Sequence, residues 1–244
     1  MTDGLLLLHA WPLDAGMWQP QLEALPADLA IAAPHHPGFG GTAAEGDVMT
    51  MATAAERALE AMDRAGIARA VLCGLSIGGY VAFELWRRAR DRFAGLILAN
   101  TRAVADPEEA AQGRRALAAR LRAEGNVLVA EPPPLLALDA PAPLQERVRA
   151  LIARQPAEAI AAALLGMAER PDSTPDLATI DVPTLVVTST ADRLIAPEVS
   201  AEMCGQIPGA RLETLEGVGH LSSLEAPEAF TALLLEHLAA CGVR

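Results

Sequence analysis

Six short apolar runs punctuate the chain, at residues 5–9, 29–33, 70–75, 95–99, 184–188 and 211–215, and most are continuous rather than alternating. A run that is apolar on both faces suits a strand covered from both sides, as parallel strands are. Helical patterns lie between the runs, at 50–65, 77–88, 196–206 and 227–240. This alternation predicts an α/β fold: a doubly wound sheet of about six mostly parallel strands flanked by helices. Ligands in such sheets bind at the carboxyl ends of the strands, so the residues that follow each run carry the functional information.

The alternation stops after Asn100 and resumes near Thr184. The intervening stretch is rich in Ala, Arg and Glu and is broken at Pro107, Pro132 to Pro134, Pro141, Pro143, Pro156, Pro171 and Pro175. It reads as a helical insertion after the fourth strand, with amphipathic helices over 107–124, 142–154 and 157–169. The expected organisation is a first core part at 1–101, a helical cap at 102–178 and a second core part at 179–244. A cap at that point would sit over the active edge of the sheet as a lid. The proline-rich piece at 131–143 suits a stiff connector.

With 244 residues, 52% of them hydrophobic, the chain is long enough to bury roughly 70–75% of its unfolded surface as one large domain. A formal charge of −12 without a basic stripe argues against nucleic acid or an anionic membrane as partner. The sequence contains no lysine, so all 19 cationic side chains are arginines. That removes Schiff-base, P-loop and protein-kinase chemistry together. Cys73, Cys204 and Cys241 form no C-x-x-C pair, which fits a reducing compartment and neither a disulfide framework nor structural zinc. The start Met1-Thr2-Asp3-Gly4 does not look like a signal peptide, and no run approaches the ~20 apolar residues of a membrane span. A cytoplasmic protein is expected.

Gly74-Leu75-Ser76-Ile77-Gly78-Gly79 lies between the run 70–75 and the helical pattern 77–88. A G-x-S-x-G nucleophile elbow needs this strand, sharp turn and helix context. The glycines let a strained turn pass close to neighbouring backbone while the serine oxygen is pushed into the open. The bland alternative is a Gly-rich turn with a helix-capping serine. A serine hydroxyl needs a base and an orienting acid, which should follow in the order Ser, Asp, His. Asp192 follows the run 184–188 and His220 follows the run 211–215, so both fall in loops at carboxyl ends of strands. His220 would take the serine proton, and Asp192 would hold the imidazole tautomer. Their bland readings are a turn aspartate and a satisfied loop histidine. Two backbone N–H groups should receive an oxyanion, one from Ile77 and one from Trp11, since Pro12 has no N–H to offer. Trp11 could equally be an aromatic anchor packed under the cap.

With these residues the chain resembles an α/β-hydrolase fold esterase of the lactonase and carboxylesterase type, similar to 3-oxoadipate enol-lactonases, over essentially its whole length. The resemblance rests on His9-Ala10-Trp11-Pro12, Pro37-Gly38-Phe39-Gly40-Gly41-Thr42, the Ser76 elbow, Asp192 and Gly219-His220. Two departures stand out. His9-Ala10 replaces the usual His-Gly, and the first antiparallel hairpin is missing, leaving six strands rather than eight and a shortened sheet edge. The resemblance implies no cofactor and a small-molecule ester or lactone substrate, cleaved through an acyl-enzyme. Asn100-Thr101-Arg102 resembles the corresponding enol-lactonase stretch; Arg102 would then pair with a substrate carboxylate, or else form an ion pair on the cap surface. Trp11-Pro12 with Leu13-Asp14 and Met17-Trp18 resembles the oxyanion loop of cofactor-free perhydrolases; the bland reading is a proline that rigidifies the loop.

Other classes remain in view. A non-catalytic binding protein could keep the pocket, and an acyl thioesterase could dock an acidic partner through Arg114, Arg115, Arg120 and Arg122, which also suit a solvated helix face. A metal site is not expected: adjacent His35 and His36 point oppositely in extended chain, and no H-x-x-x-H or H-E-x-x-H pair exists. His237 reads as a surface or dipole-compensating residue on the last helix, and Cys73 as a buried inert thiol.

Overall fold

In the computed structural model, which describes residues 2–243, the six runs become strands of a single sheet. They are Thr2–Leu8 (β1), Ile31–Ala32 (β2), Ile67–Leu75 (β3), Phe93–Ala99 (β4), Thr184–Ser189 (β5) and Arg211–Leu215 (β6), in the order β2-β1-β3-β4-β5-β6. Every neighbouring pair is parallel. The central strands are the continuous runs: Leu5 to Leu8 are wholly buried, and so is almost all of β3, β4 and β5. The edges differ. β6 is largely exposed, and β2 is only two residues long. The expected edge strand was five residues, but Leu29 is still in a turn, with its N–H bonded to the Pro26 carbonyl, so pairing starts only past it.

Ten helices accompany the strands among the described residues: Gln19–Ala24 (α1), Met51–Arg64 (α2), Ile77–Ala89 (α3), Glu108–Glu124 (α4), Ala142–Ala153 (α5), Ala157–Glu169 (α6), Thr174–Leu177 (α7), Pro197–Gly205 (α8), Ser222–Glu225 (α9) and Pro227–Ala240 (α10). α3 packs on β1, β3 and β4, α8 on β5 and β6, and α10 on β4. α4 to α7 fall between β4 and β5, where the alternation lapses. Prolines set their starts. Pro107, Pro141 and Pro156 occupy the residue before α4, α5 and α6 with φ near −60° and extended ψ, a conformation proline favours and a helix cannot continue through backwards.

This inserted segment is tied to the rest of the chain at separated points. Trp11 Nε1 donates to the Ile160 carbonyl at 3.2 Å, and Met49 N–H donates to the Ala162 carbonyl at 3.1 Å. The buried Gln155 amide donates to Asp14 Oδ2 at 2.7 Å and accepts from Gly40 N–H at 2.9 Å. On the far side, Leu221 N–H donates to the Leu135 carbonyl at 3.1 Å. No helix of the described residues is long and apolar enough to cross a membrane.

Candidate active site

β3 ends at Leu75 and α3 begins at Ile77, leaving Ser76 alone in the turn with φ 58° and ψ −117°. Positive φ is uncommon for a side-chain-bearing residue and persists only where its surroundings enforce it. Here the surroundings are tight. A Cβ on Gly74 would lie 2.3 Å from the Gly78 carbonyl oxygen, and one on Gly78 would lie 2.3 Å from the Leu8 carbonyl oxygen. The glycines therefore let β1, the turn and α3 touch. The Ser76 backbone is held by its N–H on the Ala99 carbonyl (2.9 Å) and by Thr101 Oγ1, which donates to its carbonyl (2.8 Å).

The N–H groups of Ile77 and Trp11 donate to no acceptor among the described residues. Trp11 also anchors the inserted segment through its indole, so both of its expected readings hold at the level of geometry. The loop carrying it is wired by two buried histidines. His36 N–H donates to His9 Nε2 (2.9 Å), and His36 Nε2 meets the His9 carbonyl (3.0 Å). Burial lowers both imidazoles, His36 to about 4, with further repulsion among the histidines. As expected for neighbours in extended chain, His35 faces the other way, half-buried, and accepts from Ala15 N–H at 3.2 Å. The described residues contain no cluster of three or more His, Cys, Asp or Glu able to hold a metal.

Asp192 and His220 meet as their positions at the strand ends predict. His220 Nδ1 lies 2.8 Å from Asp192 Oδ2, with both side chains buried. The other oxygen, Oδ1, accepts from the N–H groups of Leu194 (2.9 Å) and Ile195 (3.0 Å). Burial pushes this carboxyl upward, but the bond and charge of His220, with the N–H of Ile195 and the amide of Asn100, outweigh it and hold Asp192 below the usual carboxylate range. Asn100 was not singled out from the sequence for this role. Its Nδ2 donates to Asp192 Oδ2 (3.0 Å), while its Oδ1 accepts from Ser222 Oγ (2.6 Å). Ser76 and His220 line one cavity of about 120 Å³ together with Trp11, Tyr80, Arg102, Arg114, Met167 and Ile195. Among the described residues no hydrogen bond joins the Ser76 hydroxyl to His220.

Arg102 combines its two expectations. It pairs with Asp106, and it also lines the Ser76 cavity. The four arginines of α4 separate. Arg115, Arg120 and Arg122 pair with Glu108, Glu124 and Glu158 on exposed surface. Arg114 turns inward to Asp106 at 2.5 Å, which corrects its placement on a solvated face. His237 is a second correction. It is 5% exposed, and burial lowers its imidazole, because α10 presents this turn to β4 rather than to solvent. Cys73 is buried in β3, where burial drives its thiol far up. Nothing in the sequence marked Asp106 or Tyr80, whose partners lie far along the chain.

The chain matches the alpha/beta hydrolase family over residues 5–233. A thermophilic esterase from Thermogutta terrifontis, solved with malate bound, is 39% identical with a TM-score of 0.93, covering 99% of this chain and 92% of that one. The enol-lactonase from Burkholderia xenovorans LB400 is 29% identical with a TM-score of 0.86, covering 98% and 92%. The 3-oxoadipate enol-lactonase 1 of Acinetobacter baylyi is 30% identical over 225 residues, 89% of this chain and 81% of that protein. The chain is thus a member of the alpha/beta hydrolase family, and its relatives include esterases and lactonases.

Proposed function

We propose that the protein is a serine hydrolase of small carboxylic esters or lactones, with Ser76 as nucleophile, His220 as base and Asp192 as the orienting acid. One observation carries the reading: a serine at positive φ shares a closed cavity with an imidazole that is hydrogen-bonded through its other nitrogen to a buried carboxylate. Ser76 Oγ adds to the substrate carbonyl carbon as His220 Nε2 takes its proton. The oxyanion is received by the N–H groups of Ile77 and Trp11, which no protein acceptor occupies, and by the amino end of α3. Collapse expels the alcohol, or opens the lactone ring, with the proton returned by His220. Water then repeats the sequence on the acyl-serine and releases the acid. The Ser76 to His220 hydrogen bond forms when substrate fills the cavity, as catalytic hydrogen bonds often do.

The inserted residues 102–178 act in this reading as a cap that shapes the pocket, since Arg114, Pro133 and Met167 contribute to its wall. The test is turnover of a panel of aryl esters and simple lactones by wild type and Ser76→Ala. Wild type should hydrolyse short-chain members, and Ser76→Ala should lose more than ~10³-fold in kcat while remaining folded. Near-normal turnover in Ser76→Ala would overturn the assignment.

A further inference from the structure

One buried carboxylate and three arginines meet at the wall of the Ser76 cavity. The Asp106 side chain has no exposure, and Arg102, Arg114 and Arg170 all bond to it, the last two at 2.5 and 2.9 Å. One negative charge against three positive ones leaves the cluster cationic. Desolvation alone would raise this carboxyl, but its arginines hold it far below the ordinary range. Asp106 is therefore a fixed anion that holds three guanidinium groups in place.

The three arginines are not equally occupied. Arg170 is spent: it donates to the carbonyls of Met167 (2.7 Å) and Val104 (3.0 Å) as well as to Asp106, and it stacks 4.1 Å over the Tyr80 ring. Arg102 uses only Nη2, and its Nε is buried with no hydrogen-bond partner among the described residues. Arg114 uses Nε on Asp106, while its Nη1 reaches only the Met167 sulfur at 3.5 Å, a weak acceptor. Both Arg102 and Arg114 line the cavity with Ser76 and His220. A planar guanidinium with idle donors in a partly dry cavity is best satisfied by a carboxylate, which accepts two of them at once.

We propose that Arg102 and Arg114 form an anion-binding subsite within the Ser76 cavity, so that the preferred substrate is an ester or lactone carrying a second, free carboxylate. The proposal rests on Ser76 being the nucleophile. Arg102 follows β4 whereas Arg114 belongs to α4, so a bound carboxylate would span the seam between the sheet and the inserted segment.

The experiment compares 4-nitrophenyl hydrogen glutarate with 4-nitrophenyl valerate, which match in acyl length and differ in the terminal charge. In wild type, kcat/KM should favour the hemiester by at least about tenfold, the worth of one charge-assisted hydrogen bond. In Arg102→Gln and in Arg114→Gln that ratio should fall by about tenfold or more, chiefly through KM of the hemiester. Glutarate should compete with valerate ester turnover in wild type far better than pentanoate or inorganic phosphate, a readout that stands even if a variant fails to fold. A hemiester preference at or below one, or equal inhibition by glutarate, pentanoate and phosphate, would overturn the proposal. Failure of the hydrolase reading looks different: no Ser76-dependent cleavage of either ester, while glutarate still raises the melting temperature of Ser76→Ala.

Discussion

Asn100 holds φ at +45°, a conformation asparagine tolerates better than most residues, and its amide is the buried partner of both Asp192 and Ser222. Asn100→Ala removes those bonds and keeps the backbone cost, so a loss of about 1–3 kcal/mol in stability is expected, together with reduced kcat. A denaturant melt within about 0.5 kcal/mol of wild type would contradict that role. Asp192→Asn should lower kcat by roughly 10³–10⁴-fold, because the amide favours the wrong imidazole tautomer. Histidine burial sets a pH dependence of stability. An unfolded imidazole takes its proton near ~6.5, whereas folded His36 waits until about 4, so within that window the unfolded state binds more protons. Stability is therefore fully present above ~6.5 and is lost as pH falls toward 4, with His36 alone contributing about 3 kcal/mol and His9 acting in the same direction. Urea melts at pH 7, 6 and 5 should show this decline; equal free energies at pH 7 and 5 would contradict it.

The elements that hold the site are the elbow and the inserted segment. Gly166 on α6 is the closest approach of that segment to the loop before α2: a Cβ there would lie 1.8 Å from the Met49 carbonyl oxygen. Two effects compete in Gly166→Ala. Helix propensity favours alanine by up to ~1 kcal/mol, but overpacking against backbone costs typically 1–3 kcal/mol and forces α6 outward. The clash wins, so the variant should melt at lower temperature and shift its ranking of ester chain lengths. A stabilised variant with unchanged ranking would show that the segment yields freely. Leu164 lies beside a second cavity of about 440 Å³, which shares Trp11, Arg114 and Pro133 with the first. Leu164→Ala should accordingly alter preference among acyl chains more than reactivity with a small acylating probe. Equal changes on all substrates would assign Leu164 to packing alone.

At the scale of the molecule, the parts legible in the sequence were those written in local pattern. Continuous apolar runs located all six strands, and the helices of the insertion start directly after Pro107, Pro141 and Pro156 because proline fixes both its own φ and its neighbour's conformation. Gly74 to Gly79, Asp192 and His220 were legible because strand ends place them. The Asp106 cluster was not, since its four charges sit at 102, 106, 114 and 170 and pair only once α4 and α6 have packed. Likewise the last turn of α10 gives no local sign that His237 faces inward. Short α1, α7 and α9 lack the length for a periodic signal. Surface pairs such as Arg64–Glu60, both 62% exposed, add little, so the account of stability rests on the sheet and the account of function on Ser76. Its central claim is tested most directly by treating the protein with an aryl fluorophosphonate and mapping the adduct by peptide mass spectrometry. The account predicts one phosphonyl group, on Ser76, with activity lost in step and no labelling of Ser76→Ala. An adduct on another residue, or full inactivation with Ser76 unmodified, would contradict it.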